Sequence, residues 1–218
     1  MSDAALLQAS EASRIFGGRY ALRAVLREAA CGAVHDAIEL GPQLRVGLTV
    51  LSTSAAQVTF RRWQSAMLGA SWRCFPNLRD ETGAADGAVY FATESIRGEK
   101  LDRVLARDGP FTLASAARLV LDVCADLEQA GSWRDLCHAV QPEEAFIWRD
   151  EYGVAHIQLT WLGLFAASST DAENEHRLLV TLLANLVGVF DAANVVFKLL
   201  LLFPETQRSL PSWVFARP

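Results

Sequence analysis

Apolar and polar positions follow different patterns in the two halves of the chain. Up to about residue 96, short apolar runs rich in β-branched and aromatic residues end at Gly, Pro or polar residues, a pattern that predicts strands. The predicted strands are RYALRAVL, AVHDAIEL, LRVGLTVL and AVYFATESI, which begin at Arg19, Ala33, Leu44 and Ala88. Between the last two, TFRRWQSAMLGAS has apolar side chains at helical spacing and predicts one helix.

The second half of the chain shows helical periodicity, interrupted by one hairpin. FTLASAARLVLDVCADLEQA predicts a helix with Thr112 as its N-cap. Apolar side chains three and four apart predict its buried face, made of Leu113, Ala116, Ala117, Val120, Leu121, Cys124 and Leu127. EAFIWRDEYGVAHIQLTW predicts two short strands around Glu151-Tyr152-Gly153. The pattern therefore predicts an α+β protein with a small β-rich first part and a helical second part.

Composition indicates a globular chain and disfavours several kinds of partner. Of its 218 residues, 51% are hydrophobic, and the net charge is −5 with scattered basic residues, which disfavours nucleic acid. The cysteines form no CxxC pair and the histidines no metal-ligand pattern, so we expect free thiols in a reducing, cytoplasmic compartment and no metal site. The first residues, MSDAALLQASEASRIF, carry acids and no sustained apolar core, unlike a signal peptide.

The most apolar segment spans residues 178–203. Asn185, Asp191, Asn194 and Lys198 interrupt it, so no run reaches the roughly 20 residues that a membrane span needs. We expect a pair of buried helices here and no transmembrane segment. Because both are apolar nearly all round, we also expect a homo-oligomer or an obligate partner through 178–203, unless the C-terminal SLPSWVFARP covers this surface.

In their order along the chain, several segments resemble motifs of the bacterial eukaryotic-like Ser/Thr protein kinases. GRYALRAVLREAACGAVHDAIE is similar to the opening strand, glycine-rich loop and second strand, and LRVGLTVLS to the third strand. FPNL resembles the His-Pro-Asn-Ile after the regulatory helix, and Glu94 and Gly98 stand at hinge positions. The resemblance covers residues 18 to about 188. It implies a kinase-like two-lobe fold with an N-terminal extension (1–17), a β-rich N-lobe (18–97), a truncated helical C-lobe (98–203) and a C-terminal tail (204–218).

Two motifs compete for the catalytic loop of that resemblance. Arg134-Asp135-Leu136 looks like the centre of His-Arg-Asp-Leu, whereas Pro142-Glu143-Glu144 looks like the Pro-Glu-Asn that ends the same loop. Both cannot hold their family places without a four-residue insertion. Without a gap from the preceding helix, the family's catalytic base falls on Ala139 and its metal-binding asparagine on Glu144. The Arg-Asp-Leu triplet is then a polar turn ahead of the loop.

The other catalytic positions implied by the resemblance are also substituted. Thr49 stands where the family has its phosphate-gripping lysine, and no acidic residue lies between Glu39 and Asp80 to partner such a lysine. Trp161 takes the place of the metal-binding aspartate, so we expect an indole to fill the volume of nucleotide and metal. One glycine survives at the three glycine positions of the phosphate loop, which are Arg27, Ala29 and Gly32.

These substitutions predict a pseudokinase and no enzyme, with no cofactor. Losing one preorganised electrostatic group typically costs about 3–4 kcal/mol of transition-state stabilisation, and several are replaced. Asn174 follows Gly163 by only eleven positions, too few for an activation segment. We expect a protein-interaction, scaffold or regulatory module in bacterial signalling, with a protein partner. The alternatives are a nucleotide-responsive switch that binds ATP weakly without phosphoryl transfer, and an enzyme with new chemistry on Glu94, His138 and Glu144.

Overall fold

The chain forms two compact units, seen in a computed structural model that describes residues 14–69, 71–129, 140–166 and 175–188. The first unit runs to Ile96 and takes in Thr160–Ala166, and the second comprises Arg97–Leu159 and the residues after Ala166. Both units contain strands and helices, so the predicted α+β class is confirmed. The C-terminal tail and most of the N-terminal extension lie outside the described residues.

A six-stranded antiparallel sheet forms the frame of the first unit, in the order β1-β2-β3-β4-β6-β5. The four strands predicted from the hydrophobic pattern are confirmed. β1 and β5 were not predicted; β5 has the sequence LRDETGAA, too polar to be identified by alternation, and it pairs with β6 along the backbone. The strands are β1 (Ile15–Phe16), β2 (Tyr20–Ala29), β3 (Gly32–Glu39), β4 (Leu44–Leu51), β5 (Leu78–Ala85) and β6 (Ala88–Glu94).

Both faces of this sheet carry buried apolar side chains, because side chains alternate between the two faces along each strand. One face carries an apolar cluster made of Phe16, Tyr20, Ala37, Val46, Leu48 and Ala92. The other face packs against helix α1 (Ser54–Gly69) and the short helix α4 (Leu162–Ala166). Phe60 of α1 stacks on Phe91 of β6 with ring centroids 4.6 Å apart, and Phe165 of α4 meets Phe91 edge-on at 5.8 Å.

Helix α1 begins five residues before the predicted start at Thr59. Thr53 provides the reason, since its Oγ1 accepts a hydrogen bond from the backbone N–H of Ala56 at 3.3 Å. A threonine at this place satisfies one of the donors that the first turn leaves without an intrahelical partner. The five residues before Thr59 therefore belong to the helix, although the predicted segment left them out.

The second unit combines a three-stranded sheet, in the order β7-β8-β9, with helices. The predicted hairpin is confirmed as β8 and β9, and Asp150 shapes its turn by accepting hydrogen bonds from the backbone N–H groups of Tyr152 (3.0 Å) and Val154 (2.8 Å). The elements are β7 (Glu99–Lys100), α2 (Leu101–Asp108), α3 (Leu113–Gln129), a 3₁₀ turn (Pro142–Glu144), β8 (Ala145–Arg149), β9 (Ala155–Leu159) and α5 (Glu175–Leu186).

Helix α3 has the predicted cap but a different buried face. Thr112 Oγ1 accepts a hydrogen bond from the backbone N–H of Ser115 at 3.3 Å, which confirms the N-cap. The prediction was wrong for Leu121, which is 55% exposed. Apolar residues occupy more than half of the positions of this helix, so their spacing alone does not decide which side of the helix is buried. The contacts of α3 with β9 and α5 decide it. The buried residues are Ala116, Ala117, Leu119, Val123, Asp126 and Leu127.

None of the described helices is long and apolar enough to cross a membrane. In helix α5, Leu182, Leu183 and Leu186 are buried. Residues 189–203 lie outside the described residues, as do the side chains of 178–180. The predicted self-association through 178–203 therefore falls largely outside the part of the chain that the structure describes, and it stays a prediction.

Candidate functional site

The structure describes three of the four degenerate kinase positions. Thr49 and Trp161 belong to the first unit and Glu144 to the second. Ala139 lies outside the described residues, and so does the competing triplet at 134–136. The choice between the two catalytic-loop registers consequently stays a prediction. The three described positions and the β2–β3 turn are the candidate positions, and each is considered within its own unit.

Thr49 is buried in the sheet, with 2% of its surface exposed. In β4 it lies opposite Val34 of β3 and Phe91 of β6, so these three side chains share one face. That face is the one on which Phe60 of α1 stacks. The position therefore offers an apolar, helix-covered environment and no positive charge for a phosphate.

The carboxylates nearest to this region in the sequence are engaged by arginines. Asp36, on the same face as Thr49, accepts a hydrogen bond from Arg45 Nε at 2.7 Å, and this bond raises the pKa of Arg45. The buried Glu39 accepts from Arg19 Nε at 2.9 Å. Helix α1 carries no acidic residue. A cation placed at position 49 would thus find no uncommitted carboxylate on β3 or α1 in the described structure.

The turn between β2 and β3, where the resemblance places a phosphate loop, is tight and fastened. The strands stay paired to Ala29 and Gly32, which leaves only Ala30 and Cys31 between them. The carbonyl of Cys31 accepts hydrogen bonds from the backbone N–H of Ser52 (2.9 Å) and from its hydroxyl (3.2 Å). Loops that cradle phosphate need several backbone N–H groups turned toward the ligand. A two-residue turn held by its own carbonyl is a poor candidate for that role.

Gly32 has a structural reason to be glycine. Its φ of 154° lies in a region that other residues rarely adopt, and a Cβ there would overlap the backbone carbonyl oxygen of Val50 in β4. The close approach of two backbones excludes any side chain. Survival of this glycine is therefore explained by strand packing, and it gives no support to phosphate binding.

We expect Gly32→Ala to lower the free energy of unfolding by about 1–3 kcal/mol, because a backbone atom cannot yield to the new methyl group as a flexible side chain would. Urea denaturation followed by circular dichroism measures the change. Gly41→Ala is the matched control, since a Cβ at Gly41 meets nothing within 4 Å. Equal stability of the two variants would contradict this explanation of Gly32.

Trp161 is the centre of a buried aromatic cluster, with 1% of its surface exposed. Its ring stacks on Phe75 at 4.4 Å and meets Trp72 edge-on at 5.1 Å. Its indole N–H donates a hydrogen bond to the backbone carbonyl of Pro76 at 2.9 Å. The apolar part of the indole thus packs against aromatic rings and its N–H has an acceptor, as a buried tryptophan requires.

This cluster does not fit a nucleotide-bound metal. Magnesium in phosphoryl-transfer sites takes carboxylate and phosphate oxygens, and here the position of the metal-binding aspartate holds an indole. Among the residues that the structure describes, no group of three His, Cys, Asp or Glu side chains is placed to hold a metal ion. The Trp161 side chain therefore offers no oxygen ligand to a metal ion.

In the second unit, Glu144 ends the 3₁₀ turn and is fully buried, with 0% exposed. Its backbone N–H donates to the carbonyl of Gln141 at 3.0 Å, which closes the turn. The turn is packed by α2 and α5. The third hypothesis, new chemistry on three residues, is only partly described: His138 lies outside, and Glu94 in the first unit accepts a hydrogen bond from Asn77 Nδ2 at 3.1 Å.

The sequence analysis did not identify the residues that contact Trp161 and the turn at Cys31 and hold them in place. Trp72 had no identified role and Phe75 was noted only as the first residue of FPNL, yet both enclose Trp161. Ser52 was not singled out, yet it fastens the turn at Cys31. The available signal for the first pair was composition, because two large aromatic residues within four positions, the second of them the first residue of FPNL, indicate a local apolar cluster.

Comparison with known proteins finds a distant similarity to a protein kinase. No protein-family model matches the chain. The chain is similar to the serine/threonine-protein kinase pkn3 of Myxococcus xanthus, with 28% identity over 134 residues, which is 59% of this chain and 24% of that protein. This is distant kinase homology. The match spans about a quarter of the relative's length, so the activity of that whole protein does not pass to this chain.

Proposed function

We propose that the chain is a pseudokinase, a kinase-like two-lobe protein that does not transfer phosphoryl groups and acts as a protein-interaction or regulatory module in bacterial signalling. One observation carries the proposal: the position of the metal-binding aspartate holds Trp161, buried between Trp72 and Phe75 with its N–H satisfied. An active site of the kinase type needs a charge at that point.

The fold within the first unit supports the kinase-like part of the proposal. The antiparallel strands β2, β3 and β4 are followed by helix α1 and then by β5 and β6, the order in which the motifs of the resemblance occur. The distant similarity to a Ser/Thr kinase agrees with it. A cytoplasmic location is part of the proposal, since Cys31, Cys74 and Cys124 are free thiols, as expected in a reducing compartment.

Loss of catalysis rests on independent positions in addition to Trp161. Thr49 presents no cation, and the turn at Cys31 is fastened by Ser52. Both features also disfavour the alternative of a weak ATP-binding switch, because they remove two contacts that hold the phosphates. A chain that keeps the kinase-like fold and lacks these catalytic groups fits a role in recognising another protein.

We expect millimolar Mg-ATP to leave the melting temperature unchanged. A ligand at about 100 times its Kd stabilises the folded state by about 2.7 kcal/mol, and this would raise the melting temperature of a chain of this length by about 5–11 °C. Differential scanning fluorimetry measures the shift, with magnesium alone as the control. Incubation with radiolabelled ATP should give no phosphorylation of the chain itself.

A shift that requires magnesium would favour the nucleotide-responsive switch over the proposed module. Incorporated phosphate that persists in a Trp161→Phe variant would show that catalysis proceeds by some other arrangement. The first result would replace the interaction module by the switch, and the second would remove the pseudokinase assignment.

A further inference from the structure

We draw no further inference here: the strongest candidate, the tip of the β8–β9 hairpin, where Tyr152 is 82% and Val154 is 40% exposed, carries none because nothing in the described structure shows what covers this apolar patch.

Discussion

Replacing Trp161 with alanine is expected to lower the free energy of unfolding by about 3–5 kcal/mol. The loss combines the transfer of a large buried side chain with the cavity left between Trp72 and Phe75. The backbone carbonyl of Pro76 also loses its donor, and a buried acceptor without a partner adds to the loss. Urea denaturation and the melting temperature measure the change, and we expect a fall of about 2–4 °C per kcal/mol.

Two comparisons show whether the cluster is the cause. Trp161→Phe keeps one aromatic ring at this place and removes the second ring of the indole with its hydrogen bond to Pro76, so we expect a smaller loss than for Trp161→Ala. Trp148→Ala removes a tryptophan that is only partly buried and stacks on His156 at 4.3 Å. If Trp148→Ala destabilises the chain as much as Trp161→Ala, Trp161 is no special anchor of the first unit.

Local pattern was sufficient for elements that are marked by an apolar, β-branched run, by turn residues or by a capping side chain. LRVGLTVL predicts β4 because its β-branched and apolar residues are buried on both faces of the sheet. The hairpin at β8 and β9 was equally predictable, since Gly153 and the polar residues before it mark a turn between two apolar runs. Thr112 as a cap follows from its hydroxyl alone.

Other features depend on contacts that no local pattern contains. Trp161 bonds to a carbonyl 85 residues earlier in the chain, so its role as an anchor cannot be derived from its neighbours. The orientation of α3 depends on which side meets β9, and Leu121 was assigned to the wrong side for that reason. β5 exists because β6 offers it a backbone to pair with, although its own residues are polar.

The sequence predicted the candidate site as positions that lack the charged groups of a kinase. The structure shows what surrounds some of these positions. The sequence shows that Thr49 has no charge, whereas the sheet shows that the position is buried opposite Phe91. Gly32 was interpreted as a remnant of a phosphate loop, but the overlap with Val50 accounts for it. Packing within the first unit thus accounts for the residues found at positions 32 and 49.

Thr49→Lys, which restores the family's residue, is expected to cost about 3–5 kcal/mol of stability, the effect of an uncompensated buried charge. The ammonium group of the lysine would lie on the same face of the sheet as Phe91. The carboxylate of Asp36 on that face already accepts a hydrogen bond from Arg45. Thr49→Met is the control, because methionine has a similar length without the charge.

The dependence on pH separates charge from size. Burial lowers the pKa of a lysine in the folded state below its unfolded value of about 10.4. The folded state then binds fewer protons than the unfolded state, so the penalty is largest at low pH and disappears as the pH rises to the unfolded pKa. The stability difference between the Lys and Met variants should accordingly narrow from about pH 7 to about pH 10. A Lys variant as stable as the Met variant at neutral pH, with a new Mg-ATP-dependent rise in melting temperature, would show that position 49 still opens onto a nucleotide site and would favour the switch.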